Sequence, residues 1–195
     1  MKFNNILFLF LVISFSVFSN DIRLTESNNQ FVVTQKSLSE FTFVNHLSVI
    51  NTMLLQKDQK DFVRLFVDDY GKNAHNGQAE LPVLEKLINI PYGADIEIDV
   101  LNIEEKIISL SDYGINNIVF PSQPSISKSQ NPNDVPFYFD VSYYNSVGFH
   151  FNELVKIKLL GKMRGQQLAR LNISPFSYDP SNNQLRIITN CEVKI

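Results

Sequence analysis

Wherever the order of apolar and polar residues is clear, it repeats every second position. In residues 95–100 (DIEIDV), Ile96, Ile98 and Val100 fall on one side of an extended chain and Asp95, Glu97 and Asp99 on the other. That is the pattern of a strand with one face in a core and one in water. Residues 154–160 (LVKIKLL) repeat it, with Val155, Ile157 and Leu159 alternating with Lys156 and Lys158. At the end of the chain Leu185, Ile187, Cys191, Val193 and Ile195 share a face opposite Arg186, Glu192 and Lys194. Turn signals separate these runs at Asn76-Gly77, Pro91-Tyr92-Gly93, Tyr113-Gly114 and Tyr178-Asp179-Pro180, each with the φ preference or side-chain bond that a reversal needs. No segment carries a capped helical stripe. Residues 82–89 (PVLEKLIN) would suit two helical turns started by Pro82, but beside Ile90-Pro91 they read as extended. Short strands punctuated in this way predict an all-β fold, an antiparallel β-sandwich of jelly-roll-like type.

The first residues follow a different logic. Lys2 precedes an apolar run over residues 6–18, and Val17-Phe18-Ser19 offers compact residues for cleavage. A basic start, an apolar run and such a site describe a secretory signal peptide over residues 1–19, and the run falls short of the roughly 20 residues a spanning helix needs. The expectation is export to the periplasm, the cell surface or beyond, with no membrane span after cleavage. Residues 20–39 then form an N-terminal extension with the first strand, and residues 40–195 one domain large enough for a real core.

Charge and cysteine content narrow the function. The net charge is −3 and becomes −4 once Lys2 leaves with the leader, which gives no footprint for nucleic acid or an anionic membrane. With one cysteine, Cys191, no intrachain disulfide forms, so packing alone must hold the domain. A cysteine nucleophile needs a histidine base within hydrogen-bond reach, whereas the alternation puts Cys191 on a buried face, where it behaves as a small hydrophobe. His46, His75 and His150 stand far apart without metal-ligand spacing, and read as surface or edge residues. Asp68-Asp69 and Glu104-Glu105 lack the ligand ladder of a calcium loop and read as solvated turns. Asn172-Ile173-Ser174 fits the glycosylation triplet, too short a pattern to carry weight. No phosphate-cradling glycine loop and no nucleophile elbow is present. No cofactor, no metal and no active site are expected.

One long polar stretch stands apart. Residues 121–136 (PSQPSISKSQNPNDVP) are punctuated by Pro121, Pro124, Pro132 and Pro136 and hold a single basic residue, Lys128. Loops beyond about 12–15 residues without structure of their own are usually functional or disordered. Either the lysine is presented to a partner, or the loop is solvated and the lysine only aids solubility.

Several motifs occur in a fixed order along the chain: 76–100 (NGQAELPVLEKLINIPYGADIEIDV), 119–127 (VFPSQPSIS), 161–180 (GKMRGQQLARLNISPFSYDP) and the closing strand 183–195. Within them the Gly77 to Pro82 segment, Pro121-Ser122-Gln123-Pro124, Arg164-Gly165 and Pro175-x-x-Tyr178-x-Pro180 are the most telling. In this order they resemble the N-terminal propeptides of gingipain-type cysteine proteases (clan CD, family C25), over roughly residues 40–195. Ala79 departs from the family, which often has a proline-containing turn there.

The resemblance implies a β-sandwich pro-region that is not itself an enzyme, keeps a following caspase-like protease domain latent and assists its folding. It also implies a loop that sends a basic residue into the active-site cleft. By position that loop is 121–136, with Ser127, Lys128 and Ser129 as the inhibitory element. Arg164 and Gly165, with Pro175, Tyr178 and Pro180, are then structural, Arg164 pairing with a carboxylate or capping carbonyls inside the sandwich. The implied partner is a gingipain-like catalytic domain. The chain closes on a strand pattern at Ile195, as a precursor broken before its catalytic domain would. A separate propeptide acting in trans is the alternative. A rival of another class is a secreted or surface β-sandwich that binds carbohydrate through exposed aromatics; it has no Trp to use but has seven tyrosines, Tyr143-Tyr144 among them.

Overall fold

A computed structural model describes residues 19–37, 39–73, 75–131 and 134–195. The expected leader, up to residue 18, lies outside the described residues. Strands dominate: β1 (Ser19–Arg23), β2 (Gln30–Lys36), β3 (Phe41–His46), β4 (Val49–Lys57), β5 (Lys60–Phe66), β6 (Gly71–Lys72) and β7 (Pro82–Ile90) fill the first half. They are followed by β8 (Asp99–Ser109), β9 (Ile118–Val119), β10 (Val155–Met163), β11 (Gln166–Ile173), β12 (Phe176–Asp179) and β13 (Gln184–Lys194). Among the described residues the helical elements are a 3₁₀ turn at Leu110–Tyr113 and a single α turn, α1 (Val141–Tyr144). The all-β, antiparallel expectation holds, with one short parallel pairing between β5 and β9. Among the described residues no helix is long and apolar enough to cross a membrane.

β13 explains how the layers join. It pairs with β8 along one edge and, on the other, with β12 and then β3, making a five-stranded sheet. Every second residue of β13 is buried from Leu185 to Val193, so one face stays in the core along its whole length. Leu185 and Ile187 meet Ile22, Ile50, Val63 and Leu65 of the sheet ordered β1-β4-β5-β9. Cys191 and Val193 meet Leu84, Val155, Leu171 and Ile173 of the sheet ordered β10-β11-β7-β6. The result is a sandwich with one continuous layer and one divided layer. Burial of each such side chain contributes about 1.5–3 kcal/mol. Tyr70 spans the division by packing on both clusters. Its hydroxyl donates to Asn45 Oδ1 at 3.0 Å, and burial pushes its pKa up to about 12.

Parts of the pattern reading hold in the structure and others change. Residues 82–89 are extended, inside β7, and the closing alternation is β13. Residues 95–98, expected as a strand, are not one; the strand starts at Asp99 and runs to Ser109. There β8 is exposed over most of its length, so Val100 does not reach the core, and Glu104 and Glu105 lie within a strand, not in a solvated turn. Glu105 forms an ion pair with Arg186 on the outer face. Residues 20–36 carry two strands, β1 on β4 and β2 on β3. In β10, Val155 is buried and Ile157 half-buried, but Leu159 is exposed, on the edge strand of its sheet.

The turn after β12 is held by a buried carboxylate. Asp179 accepts from the Ser181 hydroxyl at 2.7 Å and backbone N–H at 3.0 Å, from Asn182 Nδ2 at 2.8 Å and from Gly148 N at 3.3 Å. Burial works to raise its pKa, but these donors outweigh it and hold the carboxyl below its ordinary value. A depressed folded pKa means that the stabilisation is present above the unfolded value, about 3.9, and is lost as pH falls through the folded one. Acid unfolding of the wild type should therefore set in below about pH 4, and Asp179→Asn should flatten that limb when unfolding is followed by circular dichroism.

Cys191 is fully buried, and burial raises its thiol to about 11, so at pH 8 it is neither accessible nor ionised. Native protein should react with iodoacetamide at least about a hundredfold more slowly than the same chain in urea, as read by mass spectrometry.

Candidate functional site

The long loop leaves and returns to the fold at one place, and the outgoing arm is fixed first. β9 runs parallel to β5, with Val119 opposite Val63. Two buried tyrosines hold Val119: its N–H donates to the Tyr178 hydroxyl at 3.3 Å, and its carbonyl accepts from the Tyr144 hydroxyl at 2.6 Å. Burial raises both hydroxyl pKa values, that of Tyr178 to about 12, so both remain protonated and able to donate. Beyond β9 the chain zips against residues 77–80. Glu80 N donates to Phe120 O at 2.8 Å, Ser122 N to Gln78 O at 2.7 Å and Gly77 N to Ser122 O at 2.8 Å. Ala79 and Pro121 form an antiparallel bridge between them.

An ionic group sits under this zipper. The Glu80 carboxylate is buried and faces two cations, Lys72 Nζ at 2.8 Å and Arg64 Nε at 3.0 Å. The Arg64 N–H is not aimed at the oxygen, so that contact is ionic and not a hydrogen bond. The guanidinium also lies over the Phe120 ring at 4.5 Å, which ties the start of the loop to β5.

The returning arm uses aromatics and backbone. Phe62 of β5 is a common platform, with its ring centroid 5.6 Å from Phe120, 5.8 Å from Phe137 and 6.3 Å from Phe139. Gln123 closes the neck: its Nε2 donates to Tyr138 O at 2.8 Å, and its Oε1 accepts from Tyr138 N at 2.9 Å. Gly77 touches both arms, since its carbonyl also accepts from Asp140 N at 3.0 Å. Its φ is +82°, and a Cβ there would stand 3.0 Å from Asp140 N, so glycine is required on two counts. Asp140 then caps α1 by accepting from Tyr143 N at 3.0 Å.

Between these stems Ser127, Lys128 and Ser129 are exposed. Gln130 N donates to Ser127 O at 3.0 Å, which puts Lys128 and Ser129 at the two central positions of a β-turn. The Ser127 and Ser129 hydroxyls are 3.0 Å apart. Among the described residues no carboxylate lies within ion-pairing distance of Lys128.

The other sequence-derived residues lie elsewhere. Arg164 is exposed, not inside the sandwich, and makes no ion pair among the described residues. With φ +52° it forms, together with Gly165 at +80°, the two-residue turn joining Met163 and Gln166, the geometry of a tight hairpin that favours glycine. Pro175, Tyr178 and Pro180 are buried around β12. Tyr143 and Tyr144 are buried on α1 and pack in the core, so they offer no face to a sugar. His46 Nε2 is bonded to Ser27 Oγ at 2.6 Å and His150 Nε2 to Ser146 Oγ; among the described residues neither is bonded to Cys191. Nor does any group of three His, Cys, Asp or Glu side chains converge there as a metal site.

Sequence reading missed the Gln123 neck, the Glu80 ion group and the Phe62 platform.

A family model described as Propeptide_C25 matches residues 19–195. Lys-gingipain of Porphyromonas gingivalis is 30% identical over 177 residues, which cover 91% of this chain and 10% of that protein. Gingipain R2 of the same organism is 26% identical over 125 residues, 63% of this chain and 16% of that protein. The chain thus spans about a tenth of the length of the Lys-gingipains it matches. A solved structure described as "Structural insight into zymogenic latency of gingipain K from Porphyromonas gingivalis" superposes with a TM-score of 0.85 at 31% identity, covering 90% of this chain and 96% of that one. The complex of Porphyromonas gingivalis RgpB pro- and mature domains shares the fold, with a TM-score of 0.72 at 18% identity over 86% and 85% of the two chains.

Removing the carboxylate beneath the zipper tests the anchorage. Glu80→Ala leaves two half-exposed cations that water can reach, so the expected cost is about 2 kcal/mol, below the 3–5 kcal/mol of a wholly buried broken pair. Denaturant unfolding gives the value, and loss of protection at the Phe120 and Ser122 amides in hydrogen exchange locates it.

Proposed function

The chain belongs to the C25 propeptide family, and from that premise we propose that it keeps a gingipain-like cysteine peptidase latent by lodging Lys128 in the active-site cleft. As a propeptide domain it is a non-catalytic region. In this reading it also assists the folding of the peptidase, and export through the leader at residues 1–19 brings both to the periplasm or cell surface. The partner is a catalytic domain in cis where one follows in the same chain, and otherwise in trans.

The observation that carries the proposal is the exposed Lys128 at the apex of a loop whose two stems are both fastened to Gly77. A lysine ammonium meeting a buried carboxylate in a specificity pocket gains about 1.5–3 kcal/mol from a charge-assisted hydrogen bond. Ser127 and Ser129 are small, so the flanking backbone fits a cleft without a clash. Pro121, Pro124 and Pro136 restrict the stems and reduce the entropy lost on docking. In cis, an effective concentration in the millimolar range makes even a modest contact sufficient. Lysine in place of arginine favours a lysine-cutting partner, in keeping with the 30% identity to Lys-gingipain. The same residue is then exposed to cleavage during maturation.

The test is inhibition of a Lys-specific peptidase of the gingipain type by the purified domain. Lys128→Ala should raise the inhibition constant roughly ten- to a hundredfold and leave thermal unfolding unchanged. An unaltered inhibition constant removes Lys128 from the mechanism.

A further inference from the structure

A loop that offers a lysine to a lysine-cutting cleft is chemically a substrate, and whether it blocks or is consumed depends on how its stems are held. We propose that Gln123 and Gly77 form a clamp that holds the loop as an inhibitor and protects the Lys128–Ser129 bond; the inference rests on the reading of Lys128 given above.

The geometry separates the clamp from the core. Gln123 is half-buried, and its carboxamide takes the place of a strand residue opposite Tyr138, donating at 2.8 Å and accepting at 2.9 Å. The same Nε2 also reaches Pro121 O at 2.9 Å, so one side chain binds the outgoing arm to the returning one. Gly77 repeats this one step deeper with its backbone, donating to Ser122 O at 2.8 Å and accepting from Asp140 N at 3.0 Å. Two successive rungs therefore close the loop at its base, while residues 125–131 above them are exposed. A glutamine between two ladder positions adds no core volume, so its two-sided bonding concerns the spacing of the arms and not the stability of the sheets.

That spacing has a chemical consequence. In a cysteine peptidase the cysteine sulfur bonds the Lys128 carbonyl carbon as the bond to the Ser129 nitrogen breaks, the thiol proton leaving on the amine; water then supplies OH to that carbon and returns a proton to the sulfur. With the neck closed, the Ser129 amine stays beside the acyl carbon and the reverse reaction competes with release. With the neck open, the amine diffuses away and the loop is spent. A closed neck also reduces the number of loop shapes that must be ordered on docking.

Three proteins decide the matter: wild type, Gln123→Ala and Lys128→Ala, each incubated with a Lys-specific peptidase of the gingipain type. The measurements are the inhibition constant, the rate of appearance of the 128/129 cut by mass spectrometry, and the melting temperature. For Gln123→Ala the expected result is an inhibition constant raised about tenfold, a 128/129 cut that appears faster, and a melting temperature within about 2 °C of wild type. Unchanged inhibition and cutting in Gln123→Ala, with inhibition lost in Lys128→Ala, overturns the clamp and leaves the Lys128 reading intact. Retained inhibition in Lys128→Ala overturns both. Should Gln123→Ala fold poorly, Gln123→Glu keeps the side-chain length and the acceptor for Tyr138 N but sets a carboxylate oxygen against Tyr138 O. The same loss of inhibition and faster cut are expected, and wild-type values in that variant overturn the clamp.

Discussion

One buried face of one strand holds the three sheets together. Leu185, Ile187, Thr189, Cys191 and Val193 all point inward from β13, and the layer they meet is not continuous. Half of that face packs on the β1-β4-β5-β9 sheet and half on the β10-β11-β7-β6 sheet. Phe176 and Tyr178 of β12 widen the first half and Phe43 of β3 the second, and both strands pair with β13, so the register of β13 sets where both sheets sit. A slip of one residue would turn the whole face outward.

The loop depends on that arrangement at one remove. β9, only two residues long, is held by hydroxyls from Tyr178 on β12 and Tyr144 on α1. Tyr178 is itself fixed because β12 pairs with β13, Phe176 opposite Ile187 and Tyr178 opposite Leu185. From core strand to tyrosine to β9 to zipper, each step fastens the next, and only the last few residues at the apex are released. Stems held in this way under an exposed tip are what the proposed docking of Lys128 requires.

How much of this was legible in the sequence varied with how strongly one face was buried. β13 alternates clearly because one side of it lies in a core, β7 read as extended only through its neighbour Ile90-Pro91, and the turn at Gly77 announced itself because only glycine fits there. The strand expected at residues 95–98 failed for the opposite reason. β8 is chosen by its pairing with β13 and lies at an edge, exposed on most of its length, so its own residues need no pattern. The β4–β5 turn, Asp58-Gln59 with φ of +49° and +62°, lacks the glycine that flags such turns. Gln123 carries no periodic signal, since a side chain that imitates backbone shows its role only once its partner Tyr138 is placed beside it. Arg164, expected inside the sandwich to pair with a carboxylate or cap carbonyls, is exposed at a hairpin tip, the simpler place that the adjoining Gly165 marks.

The solitary thiol has a further meaning. With Cys191 unpaired and no second cysteine within these 195 residues, no covalent staple joins one part of the domain to another. Once its backbone is nicked, the pieces adhere only through weak contacts and can part under dilution, whereas a cross-linked fold would stay whole. In the role proposed above, that leaves cleavage of the chain free to end the inhibition without any bond having to be reduced.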